Sequence, residues 1–261
     1  MRAFALSLIA LLSAVDLAWS QGAATPSGQA SSTPSAEAFA QPTFRPVLIG
    51  QGPSALINRM DEQDLVRKGQ KDALIMFVCM VKKDGGVEWS ATYRATPDSD
   101  FLKQELQKRI SPASNQKFIP AIYNHQPVDA IYYGTVAFRI VNGKPRLRIF
   151  SNQEADELEK EHDFIGPQPF SGNGSEFTGF HYPTGEATRT QVDGMVELKM
   201  KIDATGNLQE INVVSEEPPL VGFGDAALSD FKNARFIPAF RDGKPVECEV
   251  TLPVFYKAAG F

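Results

Sequence analysis

The sequence predicts an α+β fold of two tandem β-β-α-β units, each an antiparallel sheet with one helix packed on a face. Three observations predict it. First, Phe118-Ile119-Pro120-Ala121 recurs as Phe236-Ile237-Pro238-Ala239, and Pro127-Val128 recurs as Pro245-Val246, both at an offset of 118 residues. Second, runs of alternating apolar and polar residues flank each anchor, the period of a strand with one buried face. Third, a helical apolar pattern lies between the second and third strands of each copy.

In the second copy, Val196, Leu198, Met200 and Ile202 alternate with Glu197, Lys199 and Lys201. Asp203-Ala204-Thr205-Gly206 is a turn, Leu208 to Val214 a second strand, and Pro218-Pro219 breaks it. Asp225 is placed to cap a helix whose apolar face carries Ala227, Leu228, Phe231 and Ala234. Val246, Cys248, Val250 and Leu252 then alternate on a last strand. The first copy repeats this order, with strands over Leu74–Val81 and Val87–Arg94, a helix capped by Asp98 or Ser99, and a strand over Ala130–Val141. It adds an Asn142-Gly143 hairpin turn and a returning strand over Arg146–Phe150. Leu74 to Val81 is apolar on both faces, so it must be covered on both, by the N-terminal segment or by the other repeat.

Outside the repeats, Arg2, the apolar run Phe4–Val15 and Ala18-Trp19-Ser20 read as a cleavable secretory leader over residues 1–20. The run has 12 residues; a membrane-spanning helix needs about 20. The expected location is therefore the periplasm. Residues 21–46 are an Ala/Ser/Pro-rich tether reaching at most roughly 90 Å, and Leu56–Val66 carries a short helical pattern. The first repeat is assigned to residues 47–150 and the second to 181–261. Residues 151–180 between them are an acidic, Gly-rich linker: Glu154–Asp163 is a solvated acidic stretch and 166–179 a flexible loop.

A net charge of −5, with no basic block, gives no electrostatic reason to bind nucleic acid. His125, His162 and His181 stand at no metal-ligand spacing from one another or from a cysteine, so no metal is expected. No nucleophile elbow occurs, and Gly222-Phe223-Gly224 is not reached directly from a strand as a dinucleotide loop would be. No catalytic residue, cofactor or enzymatic activity is expected. Cys79 and Cys248 sit one in each repeat among apolar strand residues and read as buried free thiols, although an exported protein's compartment would also permit a bridge between them.

The second copy resembles the C-terminal domain of TonB. The matching positions are Tyr182-Pro183, Gly194 and Val196, the Ile202-Asp203-Ala204-Thr205-Gly206 turn, and Ser215. They continue through Phe223-Gly224-Asp225-Ala226-Ala227-Leu228, Arg235-Phe236-Ile237-Pro238-Ala239, Gly243-Lys244-Pro245-Val246 and Pro253-Val254-Phe255. The first copy is a degenerate relative that lacks the Ala-Ala helix and the Arg before the Phe. Before Tyr182, where the family often has Gln-Pro, this chain has Gly179-Phe180-His181.

The resemblance implies a protein-interaction module that takes an extended segment of an envelope protein or outer-membrane receptor as an added strand. It points to Tyr182 and Pro183 as a partner-facing motif. It also points to Val246, Glu247, Cys248, Glu249, Val250, Thr251 and Leu252 as the receiving edge. The alternatives are an envelope scaffold without a peptide ligand, in which Tyr182-Pro183 only fixes the start of the domain. The edge is then capped by the other repeat or by a second copy in a homodimer. The leader reading predicts that N-terminal sequencing of the exported protein starts at Gln21. A start at Met1 in the inner-membrane fraction would overturn it.

Overall fold

The computed structural model describes residues 41–151 and 163–258. The leader, most of the tether and all but the end of the acidic stretch, with His162, lie outside the described residues, which fall within one unit spanning Ala40–Phe261. In chain order the elements are β1 (Phe44–Arg45), α1 (Leu56–Arg59), α2 (Glu62–Arg67), β2 (Ala73–Val81), β3 (Val87–Ala95), α3 (Asp100–Ile110), β4 (Ala121–Tyr123), β5 (Gln126–Val141) and β6 (Lys144–Phe150). There follow β7 (Phe164–Ile165), β8 (Gln168–Ser171), α4 (Glu186–Thr190), β9 (Gly194–Ile202), β10 (Leu208–Glu217), α5 (Phe223–Phe231), β11 (Arg235–Ile237), β12 (Ala239–Arg241), β13 (Lys244–Val246) and β14 (Cys248–Tyr256). The architecture is α+β with antiparallel sheets. No described helix is long and apolar enough to cross a membrane.

The 118-residue offset is carried into the backbone. β4 meets β5 as Ala121↔Val128, Ile122↔Pro127 and Tyr123↔Gln126; β12 meets β13 as Ala239↔Val246, Phe240↔Pro245 and Arg241↔Lys244. The turns between them put two residues in the left-handed region, Asn124-His125 and Asp242-Gly243. β2 opposes β5 from Ala73↔Phe138 to Val81↔Ala130, and β9 opposes β14 from Gly194↔Tyr256 to Ile202↔Cys248. In each half the anchor phenylalanine docks on the first turn. Phe118 N–H donates to Gly85 O and Phe236 N–H to Gly206 O, both at 2.9 Å. Gly85 and Gly206 have φ of +81° and +85°, and a β-carbon on either would collide with that phenylalanine's carbonyl oxygen.

The turn before Gly206 is tied by Asp203. Its carboxylate accepts from Thr205 N–H at 2.8 Å, Thr205 Oγ1 at 2.7 Å, Asn207 N–H at 3.0 Å and the Asn207 and Gln209 amides at 3.0 Å. Partial desolvation works against the charged form, but the bonds from Asn207 and Thr205 outweigh it and hold the carboxyl well below the usual carboxylate range.

Two cores result. Ile75, Phe77, Cys79 and Val81 of β2 and Tyr132, Val136 and Phe138 of β5 pack with Leu102, Leu106 and Ile110 of α3 and with Leu56, Met60 and Leu65 of the N-terminal segment. Val78, Met80, Ile131 and Tyr133, on the opposite face of the same strands, pack into the second core with Val196, Leu198, Phe223, Phe231, Val250 and Tyr256. β2 is thus covered on both faces, by its own helix and by the second half. Full burial of a large apolar side chain contributes roughly 1.5–3 kcal/mol. Separating the halves would therefore cost on the order of 10 kcal/mol, the stability of a small domain.

Several expectations are corrected. The segment expected as a linker over 151–180 is structural from Phe164 onward. β8 pairs with β5 through Asp129↔Ser171 and Ala130↔Phe170, and with β11 through Arg235↔Phe170, so a second-half strand joins the first sheet. β7 pairs with β12 through Phe240↔Ile165. The expected loop over 166–179 fails because Phe170 and Phe177 are fully buried and need fixed backbone around them. Buried Gln168 also pairs its amide with the Val47 backbone, accepting at 2.7 Å and donating at 3.3 Å. The helical pattern at Leu56–Val66 breaks into α1 and α2, the second capped by Asp61.

Asp225 lies in the first turn of α5 but does not cap it. Glu216 of β10 does, its Oε1 accepting from Val221, Gly222 and Phe223 N–H at 2.9–3.1 Å. Ser99 is the α3 N-cap residue without a side-chain bond. The expected last strand divides, with Val246 on β13, Glu247 between strands and Cys248–Tyr256 on β14. The turn glycines give a direct test. Gly206→Ala is expected to lower the unfolding free energy by about 2–4 kcal/mol, and Gly85→Ala comparably, read as urea midpoints; indifference at Gly206 would deny the docking.

Candidate functional site

The candidate edge strand β14 begins where the Asp203 turn leaves β9, with Cys248 opposite Ile202. The second sheet has the order β10-β9-β14, so β14 is a terminal strand, paired among the described residues with β9 alone. Its even-numbered residues face the core: Val250 and Leu252 are nearly inaccessible and Val254 is fully buried. Its odd-numbered residues share the other face with Glu197, Lys199 and Lys201. There Glu249 pairs with Lys199 at 2.7 Å and Glu247 with Lys201 at 3.4 Å. These exposed pairs contribute little to stability but align the side chains along the strand. The strand therefore turns apolar side chains into the core and a row of paired charges outward.

The predicted residues fall into two groups. Glu249, Val250, Thr251 and Leu252 lie on β14 with Cys248, which is partly exposed, while Val246 and Glu247 belong to the β12–β13 hairpin and its exit. Both cysteines are free; burial in an apolar core pushes the Cys79 thiol up.

Tyr182 and Pro183 are not on the edge strand. Pro183 is buried, and Tyr182 is half-buried with its ring edge-on to Phe223 at 5.6 Å. The Tyr182 hydroxyl donates to the carbonyls of Ala187 at 3.0 Å and Val192 at 2.5 Å, tying the start of the domain across α4. That geometry satisfies the residue internally.

The sequence reading missed what precedes it. Asp230 of α5, its side chain only 4% exposed, accepts from His181 N–H at 3.0 Å and from the Tyr256 hydroxyl at 2.9 Å, and lies 2.7 Å from His181 Nδ1. Burial first, and then the neighbouring Asp230 carboxylate, push the Tyr256 phenol up, so it remains a donor. Phe180 contacts Phe177, Phe231, Tyr256 and, from the first half, Trp89, with ring centres 5.6–6.2 Å apart. Across the same junction Arg94 of β3 pairs with Glu197 of β9. Tyr133 also faces this junction and is the one buried side-chain polar group without a hydrogen-bond partner among the described residues. The sequence signal available was the departure at Gly179-Phe180-His181 itself.

No cluster of three metal-ligating side chains occurs among the described residues. His125 occupies the β4–β5 turn beside the Gln41 carbonyl. Residues 178–258 match the family described as Gram-negative bacterial TonB protein C-terminal, which spans α4, the second sheet and α5. No curated protein matches the chain. The family is one of envelope proteins that act through contacts with other proteins. Tyr182→Phe is expected to lower stability by about 1 kcal/mol by removing a donor from two carbonyls, with partner binding unchanged in a titration. Weaker binding at unchanged stability would instead make Tyr182 a partner contact.

Proposed function

With residues 178–258 matching the TonB C-terminal family, we propose that the chain is an exported periplasmic interaction module. On this reading β14 receives an extended segment of an envelope protein or outer-membrane receptor as an added antiparallel strand. One observation carries the reading: β14 ends its sheet, with β9 on one side and no strand on the other among the described residues. An incoming segment would run alongside β14, its outer face bordered by the Glu249–Lys199 and Glu247–Lys201 pairs. No cofactor, metal or covalent chemistry enters, and the protein is not an enzyme on this reading. The first half is a degenerate repeat that serves as a platform.

A scaffold role without a peptide ligand has an observation in its favour too. The first half supplies Val78, Met80, Ile131 and Tyr133 to the core that contains β14, so the platform restricts approach from that side. The readings separate by titrating isotope-labelled protein with N-terminal segments of co-resident outer-membrane receptors. Each peptide is paired with an analogue N-methylated at alternate amides. The expected result is amide shifts confined to residues 248–256 and their neighbours on β9, at an affinity of about micromolar, lost on N-methylation. Equal binding of the methylated peptide, or shifts elsewhere, would leave the scaffold role.

A further inference from the structure

A second strand edge, remote from the TonB-like half in sequence, carries a different chemistry. β6 pairs with β5 along Lys144–Phe150, and no strand pairs with its other side among the described residues. The β5–β6 register assigns the faces. Phe138↔Leu147 and Val136↔Ile149 point to the first core, whereas Ala137↔Arg148, Arg139↔Arg146 and Val141↔Lys144 share the opposite face. Arg139, Lys144, Arg146 and Arg148 are all exposed there. Among the described residues no carboxylate forms an ion pair with Arg139, Lys144 or Arg146. Ile140 and Val141 at the hairpin tip are 41% and 46% exposed.

Charged side chains and a proline are ordinary protection for an edge strand, and Lys144 and Pro145 fit that use. Protection does not account for Arg139. It lies on the inner strand directly opposite Arg146, and like charges directly opposite each other destabilise a sheet. Four cations on one hairpin also run against a chain of net charge −5. Arginine predominates, the side chain suited to bidentate capture of carboxylates.

We propose that the β5–β6 hairpin is a second docking edge, which takes an acidic polypeptide segment in extended conformation alongside β6. Side chains on one face of an extended chain recur every ~6.6–6.8 Å. Alternating acids of such a segment therefore fall in step with Lys144 and Arg146 while its backbone pairs with β6. Arg139 supplies a second row behind them. The inference goes beyond the β14 reading and does not rest on it.

The test uses the purified full chain and a fluorescent decapeptide of alternating Glu and Val, followed by anisotropy. Its controls are the Gln-for-Glu peptide, an N-methylated peptide and phosphatidylglycerol vesicles. Binding is expected for the acidic peptide alone, to weaken with added salt, and to fall about tenfold in Arg139→Gln/Arg146→Gln. That variant should melt no lower than the parent, since a like-charge pair is relieved. Amide shifts should map to residues 139–150 and spare 248–256. Equal binding of the Gln peptide, an unaffected double variant, or shifts on β14 would overturn the proposal. So would vesicle binding that the double variant abolishes in the absence of peptide binding, which would make the edge a lipid contact. Peptide binding that arises only after Glu154, Asp156, Glu157, Glu159 and Glu161 are changed to amides would make the chain's own acidic run the occupant, and would equally refute it.

Discussion

The arrangement depends on β2 and β5 being apolar on both faces. A small sheet with one helix needs only one apolar face; the other normally meets water. Here Val78, Met80, Ile131 and Tyr133 give the first half a second face that water would penalise, and the second half covers it. The halves therefore fold as one body rather than as two beads on a string. The Tyr133 hydroxyl marks the cost, because it is carried into the junction without a partner. Desolvating an unpaired hydroxyl costs about 1–3 kcal/mol, small beside the apolar area that its ring and neighbours remove from water.

The same constraint accounts for one departure from the family pattern. Phe180 packs on Phe177, Phe231 and Tyr256 of its own half and also reaches Trp89 of the first. His181 holds the adjoining backbone to the nearly buried Asp230, which also takes the Tyr256 hydroxyl. Arg94 and Glu197 close the junction on its polar side. Of the departing residues, Phe180 thus serves the junction and His181 the interior of the second half.

Much of this was legible in the sequence because it follows from local rules. The strand alternation, the Asp203–Gly206 turn and the 118-residue offset each reflect a backbone requirement, and the two hairpins reproduce one another rung for rung. What could not be read were contacts between residues distant in the chain. The segment around Phe164, Phe170 and Phe177 looked like a loop because its glycines and prolines dominate the composition. Its phenylalanines and Gln168 become strand anchors only once β5, β11 and Val47 surround them. The Glu216 cap on α5 escaped for a similar reason. A strand residue preceding Pro218-Pro219 gives no local sign that its carboxylate turns back to the helix. For the candidate edge, pattern located β14, but Tyr182 illustrates the limit. A motif position identifies a residue without saying whether its hydroxyl faces a partner or, as here, two carbonyls of its own domain.

Fusing the halves also changes what an edge strand can do. In an isolated small domain a terminal strand frays, and a partner must order it on binding. β14 instead borders a core that both halves share, so its conformation is set beforehand and the ordering cost of adding a strand falls mainly on the incoming segment. If β14 receives a segment as proposed, the first half contributes without touching it: it fixes β14 and narrows the directions of approach.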